Sequence, residues 1–243
     1  MKINVFDTLD ETISGIAAYF LETGRKAIEA KGRFAVALSG GSSPKKLYEF
    51  LAAKHAQSID WQKIDFFFGD ERNVPHDHAE SNYRMVKTAL FNPLQINPLQ
   101  IFPVDTSLGP DKAGEMYTQT VAQYFNNGEQ RFDLILLGLG DNSHTASLFP
   151  YTSILSDETV SVKSVFLEQE KVYRISFTAA LINEAFHVAY LVYGKGKAEA
   201  VHHVIEDAEN IQEYPAQLIA PLDGDLQWFL DTEAASALSK SST

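Results

Sequence analysis

Cysteine is missing from the whole chain of 243 residues. Its absence removes disulfides, thiolate metal sites, iron–sulfur clusters and cysteine nucleophiles from consideration, and it fits a reducing compartment. Apolar runs are also short, with none near the roughly 20 residues needed to cross a bilayer. The opening stretch MKINVFDTLDETISGIAAYF has one lysine but neither an apolar signal core nor a small-residue cleavage site, so the expected location is the cytoplasm. Positive charge is scarce. Twenty Lys and Arg face 32 Asp and Glu, a net charge of −12. Phosphate backbones demand clustered cations, so this balance argues against a nucleic-acid or anionic-membrane partner. An anionic small molecule would be repelled by the chain's overall field, and a few cations and backbone N–H groups would have to hold it locally, in a cleft.

What is present alternates between helical and strand patterns. Ile13, Ile16, Ala17, Phe20, Leu21 and Ile28 recur at helical spacing within Thr8–Lys31. Further helices are expected from Pro44 to about Ala53 and over Asn82–Phe91, Asp111–Phe125, Lys197–Asp207 and Thr232–Leu238. Strands are expected at Phe34–Leu38, Ile64–Phe68, Phe132–Leu137, Val172–Phe177 and His187–Tyr193. Continuous apolar strands between helices imply a mainly parallel sheet with helices on both faces, a three-layer α/β architecture. Ser161–Leu167 alternates more and suggests a small side sheet. No repeat, low-complexity tract or linker interrupts the chain, which reads as one domain, with Ser239–Thr243 as a frayed end.

In an open parallel sheet, ligands bind beyond the carboxyl ends of the strands, and three strands here end in polar turns. The first turn is Leu38-Ser39-Gly40-Gly41-Ser42-Ser43-Pro44. Paired glycines allow close backbone approach, and the following helix N-terminus offers free N–H groups that suit phosphate. The same residues also read as a tight strand–helix connection with serine capping. No Gly-Lys-Ser/Thr closes the turn, so it is not a Walker A loop. In the second turn, Gly69-Asp70-Glu71-Arg72-Asn73-Val74-Pro75, Arg72 can fork onto a phosphate and Asp70 can orient a hydroxyl or a histidine. The alternative is a solvated loop with an internal Glu–Arg pair. Ser81-Asn82 can simply cap the next helix. The third turn, Gly138-Leu139-Gly140-Asp141-Asn142-Ser143-His144-Thr145, fails as a dinucleotide fingerprint because Ser143 replaces the third glycine. His144 follows a buried strand and a glycine turn, which suits a general base as well as a structural hydrogen-bonder.

The remaining histidines carry less. His76 and His78 form an H-x-H pair without further ligands at metal spacing. His202 and His203 read as surface residues of a helix. A Gly-x-Ser-x-Gly elbow is absent.

The three turns together resemble the 6-phosphogluconolactonase family, within the group that includes the glucosamine-6-phosphate deaminases. The matching stretches are LSGGSSP (Leu38–Pro44), GDERNVP (Gly69–Pro75) with Ser81-Asn82, and GLGDNSHTASLFP (Gly138–Pro150). RISFTAALIN (Arg174–Asn183), YGKGKA (Tyr193–Ala198) and YPAQLI (Tyr214–Ile219) follow in the family's order and span most of the chain. The resemblance implies a Rossmann-like sheet, no metal and no cofactor, and hydrolysis of a phosphorylated sugar lactone by water that His144 activates. It implies that Arg72, Lys197 and the turn Ser39, Gly40, Gly41 and Ser42 hold the 6-phosphate, with Arg174 counted among them. Asp70 would assist near the sugar ring. The implied partner is the small-molecule lactone alone, for a monomer or small homo-oligomer.

Two rivals remain open. A deaminase would carry a glutamate where Phe149 stands, and phenylalanine cannot move a proton. A non-catalytic sugar-phosphate regulator would need Arg72 and Lys197 but no base. The chain leaves the family pattern once, with Asn142-Ser143 in place of Asp-Gly. Asparagine accepts a hydrogen bond without stabilising an imidazolium by charge, so Asn142 is expected to support the turn. Ser143 implies that the turn either lacks a positive φ there or has been rebuilt. His144 is expected near the ordinary imidazole pKa of about 6.5.

Overall fold

The apolar runs Phe34–Leu38 and Ile64–Phe68 are buried at every position, as strands covered on both faces must be. In the computed structural model, which describes residues 1–239, the elements follow one another as β1 (Lys2–Phe6), α1 (Leu9–Lys31), β2 (Phe34–Leu38), α2 (Ser42–Lys54), β3 (Ile64–Phe68), β4 (Asp70–Arg72) and α3 (Asn82–Val86). A π turn at Lys87–Phe91 leads into α4 (Asn92–Leu94), then α5 (Pro110–Tyr124), β5 (Leu134–Leu137), β6 (Val162–Leu167), β7 (Val172–Phe177), α6 (Ala179–Asn183), β8 (His187–Val192), α7 (Ala198–Ile205) and β9 (Asp225–Asp231).

Six strands form one sheet in the order β1-β9-β8-β5-β2-β3, every neighbouring pair parallel. Alternate residues of each strand feed opposite faces. Val36, Leu38, Phe66 and Phe68 pack with Phe20 of α1, Leu47 and Leu51 of α2, and Leu90. Ala35, Ala37, Phe67 and Ile135 pack with Tyr117 and Val121 of α5, Leu181 of α6 and Val201 of α7. These two cores make the helix–sheet–helix layering expected from the sequence. α1 shows how local signals set an element: Thr8 and Glu11 form a reciprocal capping box and Gly32 ends the helix at φ 83°, and a cap of this kind is worth about 1 kcal/mol. Among the described residues no helix is long and apolar enough to cross a membrane.

The second sheet is antiparallel, β4-β7-β6. Val172–Phe177 belongs to it and not to the parallel series, and Val162–Leu167 is its edge. The chain passes from β3 into β4 with only Gly69 between them. The Gly69 N–H donates to the Leu38 carbonyl of the parallel sheet at 2.9 Å, and its own carbonyl accepts from the Phe177 N–H of the small sheet at 2.8 Å.

Several expectations need correction. β1 and β9 carry too few apolar residues in a row to stand out alone; they pair as neighbours although 225 positions apart in the chain, Ile3 beside Trp228. Thr232–Leu238 is not a helix. The Asp231 carboxylate takes the N–H groups of Ala234 at 2.7 Å and Gly194 at 3.0 Å, and the segment folds into successive turns. α2 starts at Ser42, two residues before Pro44. Of the expected frayed end, Ser239 donates its N–H to the Glu206 carboxylate at 3.0 Å, and residues 240–243 lie outside the described residues.

Candidate active site

β2 has β3 on one side and β5 on the other, so the chain reverses direction across the sheet beside β2, where a crevice opens at the strands' carboxyl ends. An open cleft of about 220 Å³ occupies that point. Its lining gathers Ser39, Gly40, Gly41 and Ser42 after β2, Asp70 and Arg72 on β4, Gly138, Gly140 and His144 after β5, and Lys197 before α7. These residues, separated by up to 158 positions in the chain, were singled out from sequence. Arg174 and Asn142 do not line the cleft.

His144 is half-buried. Its Nδ1 lies 2.5 Å from Asn142 Oδ1, and its backbone N–H points at the same oxygen at 3.4 Å. A backbone N–H can only donate, so the atom it meets is the amide oxygen, and Nδ1 beside that oxygen carries the proton while Nε2 keeps its lone pair. Gly140 is required here, because a Cβ on it would sit 2.0 Å from Nδ1 of His144. Burial pushes the His144 pKa down to about 4, helped by Lys197, Arg174 and Arg72 and opposed by Asp141. The imidazole is therefore neutral across the neutral pH range, and its pKa is well below the ordinary value expected from sequence.

Ser143 settles the question of the missing glycine. Its φ is 61°, so the turn retains the left-handed backbone and a serine occupies it. The conformation is held by Ser143 N–H on the Gly140 carbonyl and by Ala216 N–H on the Ser143 carbonyl, both at 3.0 Å. Ala146 at 46° and Tyr151 at 60° are left-handed too, which concentrates backbone strain around the histidine.

Asp70 is buried and held from two sides. Ser147 Oγ donates to Oδ2 at 2.8 Å and Asn82 Nδ2 to Oδ1 at 3.3 Å. Burial raises its pKa, while Arg72, Ser147 and Arg174 act to keep the carboxylate charged. Glu71 makes no ion pair with the Arg72 guanidinium. Its buried carboxylate accepts from the backbone N–H groups of Arg72, Asn82 and Tyr83 at 2.7–2.8 Å and from Ser81 Oγ at 3.2 Å, closing the start of α3 onto β4. The solvated loop does not survive, and Ser81-Asn82 do more than cap: Ser81 Oγ accepts from the Arg84 N–H at the start of α3, while the same pair also binds Glu71 and Asp70.

The cations are distributed unevenly. Arg72 and Arg174 stand directly opposite each other on β4 and β7, a like-charge pairing that is unfavourable unless an anion sits between. Arg72 Nη1 is anchored on the Glu80 carbonyl at 2.8 Å, and Arg174 pairs with Glu170 at 2.8 Å. Lys197 pairs across the cleft mouth with the exposed Asp141. In the first turn, Gly41 (φ 95°) caps α2 without any side-chain partner, leaving the first helical N–H groups unclaimed by a cap. The Ser39 backbone, by contrast, is satisfied in both directions by the Tyr48 hydroxyl. Ser147 and the full role of Asn82 were missed from sequence, and nothing local to them marks their contact with Asp70. His76 binds the Val104 carbonyl at 2.7 Å, and among the described residues no group of three His, Asp or Glu side chains is placed to hold a metal.

Comparison with known proteins places relatives around this geometry. A family model described as glucosamine-6-phosphate isomerases/6-phosphogluconolactonase matches residues 7–228. A 6-phosphogluconolactonase of Synechocystis sp. is 40% identical over 219 residues, covering 88% of each chain. A probable chloroplastic 6-phosphogluconolactonase of rice is 33% identical over 97% of this chain and 75% of its own. The solved structure of 6-phosphogluconolactonase from Trypanosoma cruzi superposes with a TM-score of 0.87 at 30% identity, covering 98% of this chain and 97% of that one.

Proposed function

Because the chain belongs to the glucosamine-6-phosphate isomerase/6-phosphogluconolactonase family, we propose that it hydrolyses 6-phospho-D-glucono-1,5-lactone to 6-phosphogluconate in the oxidative pentose phosphate pathway, with His144 as general base. The observation that carries the residue assignment is the His144 tautomer: Asn142 occupies Nδ1, and Nε2 is left free on a residue lining the cleft. In this reading Nε2 takes a proton from water as the water oxygen bonds to the lactone C1. The tetrahedral intermediate collapses by breaking the C1–ring oxygen bond, and the imidazolium returns the proton to that oxygen. The free acid then ionises, releasing one proton per turnover. A δ-lactone carbonyl is already electrophilic, so base activation worth about 10²–10⁴-fold together with positioning is sufficient.

Arg72, Lys197 and the N-terminus of α2 form the phosphate end of the cleft, and Asp70 accepts from a sugar hydroxyl. Arg174 acts from beside the cleft, as a field on the phosphate and on His144. Phe149 stands where proton transfer in a deaminase needs an acid, which favours the lactonase over its sister activity. The cleft is built from one chain, so the reading requires no second subunit, and the absence of cysteine suits a reducing compartment such as the cytoplasm. The test is hydrolysis of freshly made 6-phosphogluconolactone, corrected for the spontaneous rate. His144→Ala should lower kcat by about 10²–10⁴-fold with binding largely intact; a near-normal kcat would reduce His144 to a structural role.

A further inference from the structure

Phe149 lies flat on the base. Its ring centroid is 3.9 Å from that of His144, with the planes 17° apart. Phe149 also lines a second, larger groove of about 930 Å³, whose walls include Tyr151, Phe166 and Tyr214 and the turn residues Asp141 to Ser143. His144 lines the catalytic cleft and is not part of the second groove. The phenyl ring therefore stands as a partition, with the imidazole on one side and open solvent space on the other. We propose that Phe149 is a positioning residue for the base: its ring fixes the plane of the His144 imidazole and keeps the water of the neighbouring groove off the imidazole face it covers.

Two constraints define the orientation of an imidazole. The Nδ1–H···Oδ1 bond to Asn142 holds one edge, but a single hydrogen bond still permits rocking about its own axis. A stacked ring removes that freedom, and the direction of Nε2 into the cleft follows. The same stacking denies hydration to the imidazolium, which needs it more than the neutral ring does. The charged groups facing His144 are Lys197 before α7, Arg174 on β7 and Arg72 on β4, all disfavouring the cation, and Asp141 on its own turn, favouring it; Asp70 of β4 lines the same cleft. None of these is substituted in a Phe149 variant. Besides its tyrosines, the titratable groups of the groove behind the ring are Asp141, Glu168, Glu170, His203 and Glu213. An aromatic face also attracts a cation, an effect of opposite sign, so the direction of the change separates the two accounts.

This inference rests on His144 as base, and the experiment tests the two separately. Histidine ring-labelled protein, with the His144 signal assigned from His144→Gln, is titrated by NMR as wild type, Phe149→Leu and Phe149→Ala. The acid limb of kcat/KM for 6-phosphogluconolactone is recorded on the same samples. In Phe149→Ala the His144 midpoint should rise by about one unit or more toward the ordinary imidazole value, and the acid limb should rise with it. Phe149→Leu keeps the apolar cover without the flat ring. Its midpoint should stay within about half a unit of wild type while kcat falls about tenfold, equivalent to about 1.4 kcal/mol. It also keeps the question open to test should the alanine variant fail to fold. An unmoved or lowered His144 midpoint in folded Phe149→Ala would overturn the partition, and a wild-type kcat in Phe149→Leu would overturn the orienting role. A raised midpoint with an unmoved acid limb would uphold the partition and sink the assignment of His144 as base.

Discussion

Asn142→Asp places a full negative charge where a neutral amide oxygen now sits 2.5 Å from Nδ1 of His144. A unit charge at about 4 Å is worth about 1 kcal/mol in water and about 4 kcal/mol at the effective dielectric near a protein surface. Asn142 is exposed, so the lower part of that range applies, about 1–2 kcal/mol, or about one pKa unit. The sign is fixed: a carboxylate favours the imidazolium, so the His144 pKa rises from about 4 to about 5 and the acid limb of activity moves toward neutrality. At pH 8 the base is neutral in both proteins, and kcat should differ by less than about tenfold, or about 1.4 kcal/mol. At pH 5 the wild type should be nearly fully active and the variant about half active. Initial rates of lactone hydrolysis between pH 4.5 and 8, corrected for spontaneous opening, decide the matter. An acid limb that does not move would mean that Asn142 and His144 are not in contact during turnover. A gain of several hundredfold at pH 8 would refute the reasoning more deeply, since the natural asparagine would then be disabling the base. A sugar-phosphate-binding regulator would become the better reading.

The phosphate end of the cleft makes its own predictions. Arg72→Ala and Lys197→Ala should each raise KM for the phosphorylated lactone with little effect on the unphosphorylated one; equal losses on both would contradict the phosphate role. Lys197 is engaged by the exposed Asp141, a pair worth well under about 1 kcal/mol. Asp141→Asn should therefore lower KM for the phosphorylated substrate by about two- to threefold, and an increase in KM would show that Asp141 orients the lysine instead of competing for it. Glu71→Gln turns two acceptor sites of a buried carboxylate into donors facing donors, at about 2–3 kcal/mol. Scanning calorimetry should find Tm lowered by roughly 4–12 °C for a chain of this size, and an unchanged Tm would mean that the loop relaxes to satisfy the amide.

Sequence was informative wherever the cause of structure is local. Phe34–Leu38, Ile64–Phe68 and Val172–Phe177 are strands at the expected boundaries because each is an apolar or β-branched run bounded by turn residues. The three cleft turns were legible because glycine, proline and charge follow directly on those runs. What escaped has causes distant in the chain. β1 and β9 are strands because they lie beside each other at the edge of the sheet. The burial of Glu71 depends on α3 folding back over it, and Asp70 depends on Ser147, 77 positions away. Arg174 is the exception, turned aside by Glu170 only four positions before it in the β6–β7 turn. His144 kept its assignment, but its depressed pKa comes from burial and from cations on three other elements, none of which a reading of its own turn can weigh.

The nearly continuous extended run from Ile64 to Arg72 has a mechanical consequence. Its first part is the edge of the parallel sheet and its last part is the edge of the antiparallel one, so Asp70 and Arg72 ride on a hinge pin shared by two plates. Ser147 N–H is tied to Ser176 Oγ of the small sheet at 3.1 Å, so the loop carrying the histidine is coupled to the same plate. A tilt of the small sheet against the large one would carry Asp70 and Arg72 together and shift both relative to the backbone amides at the start of α2. The histidine turn is also tied to the end of β5, by Gly140 N–H on the His144 carbonyl and Thr145 Oγ1 on the Gly138 carbonyl. The fold thereby separates two tolerances. The Asp70–Arg72 spacing is insulated from drift in the outer strands, whereas the distance from Arg72 to the α2 amides at the phosphate end is adjustable. Substitutions along β6 and the exposed side of β7 are thus expected to act on the distance from Arg72 to those amides and to leave the Asp70–Arg72 spacing alone.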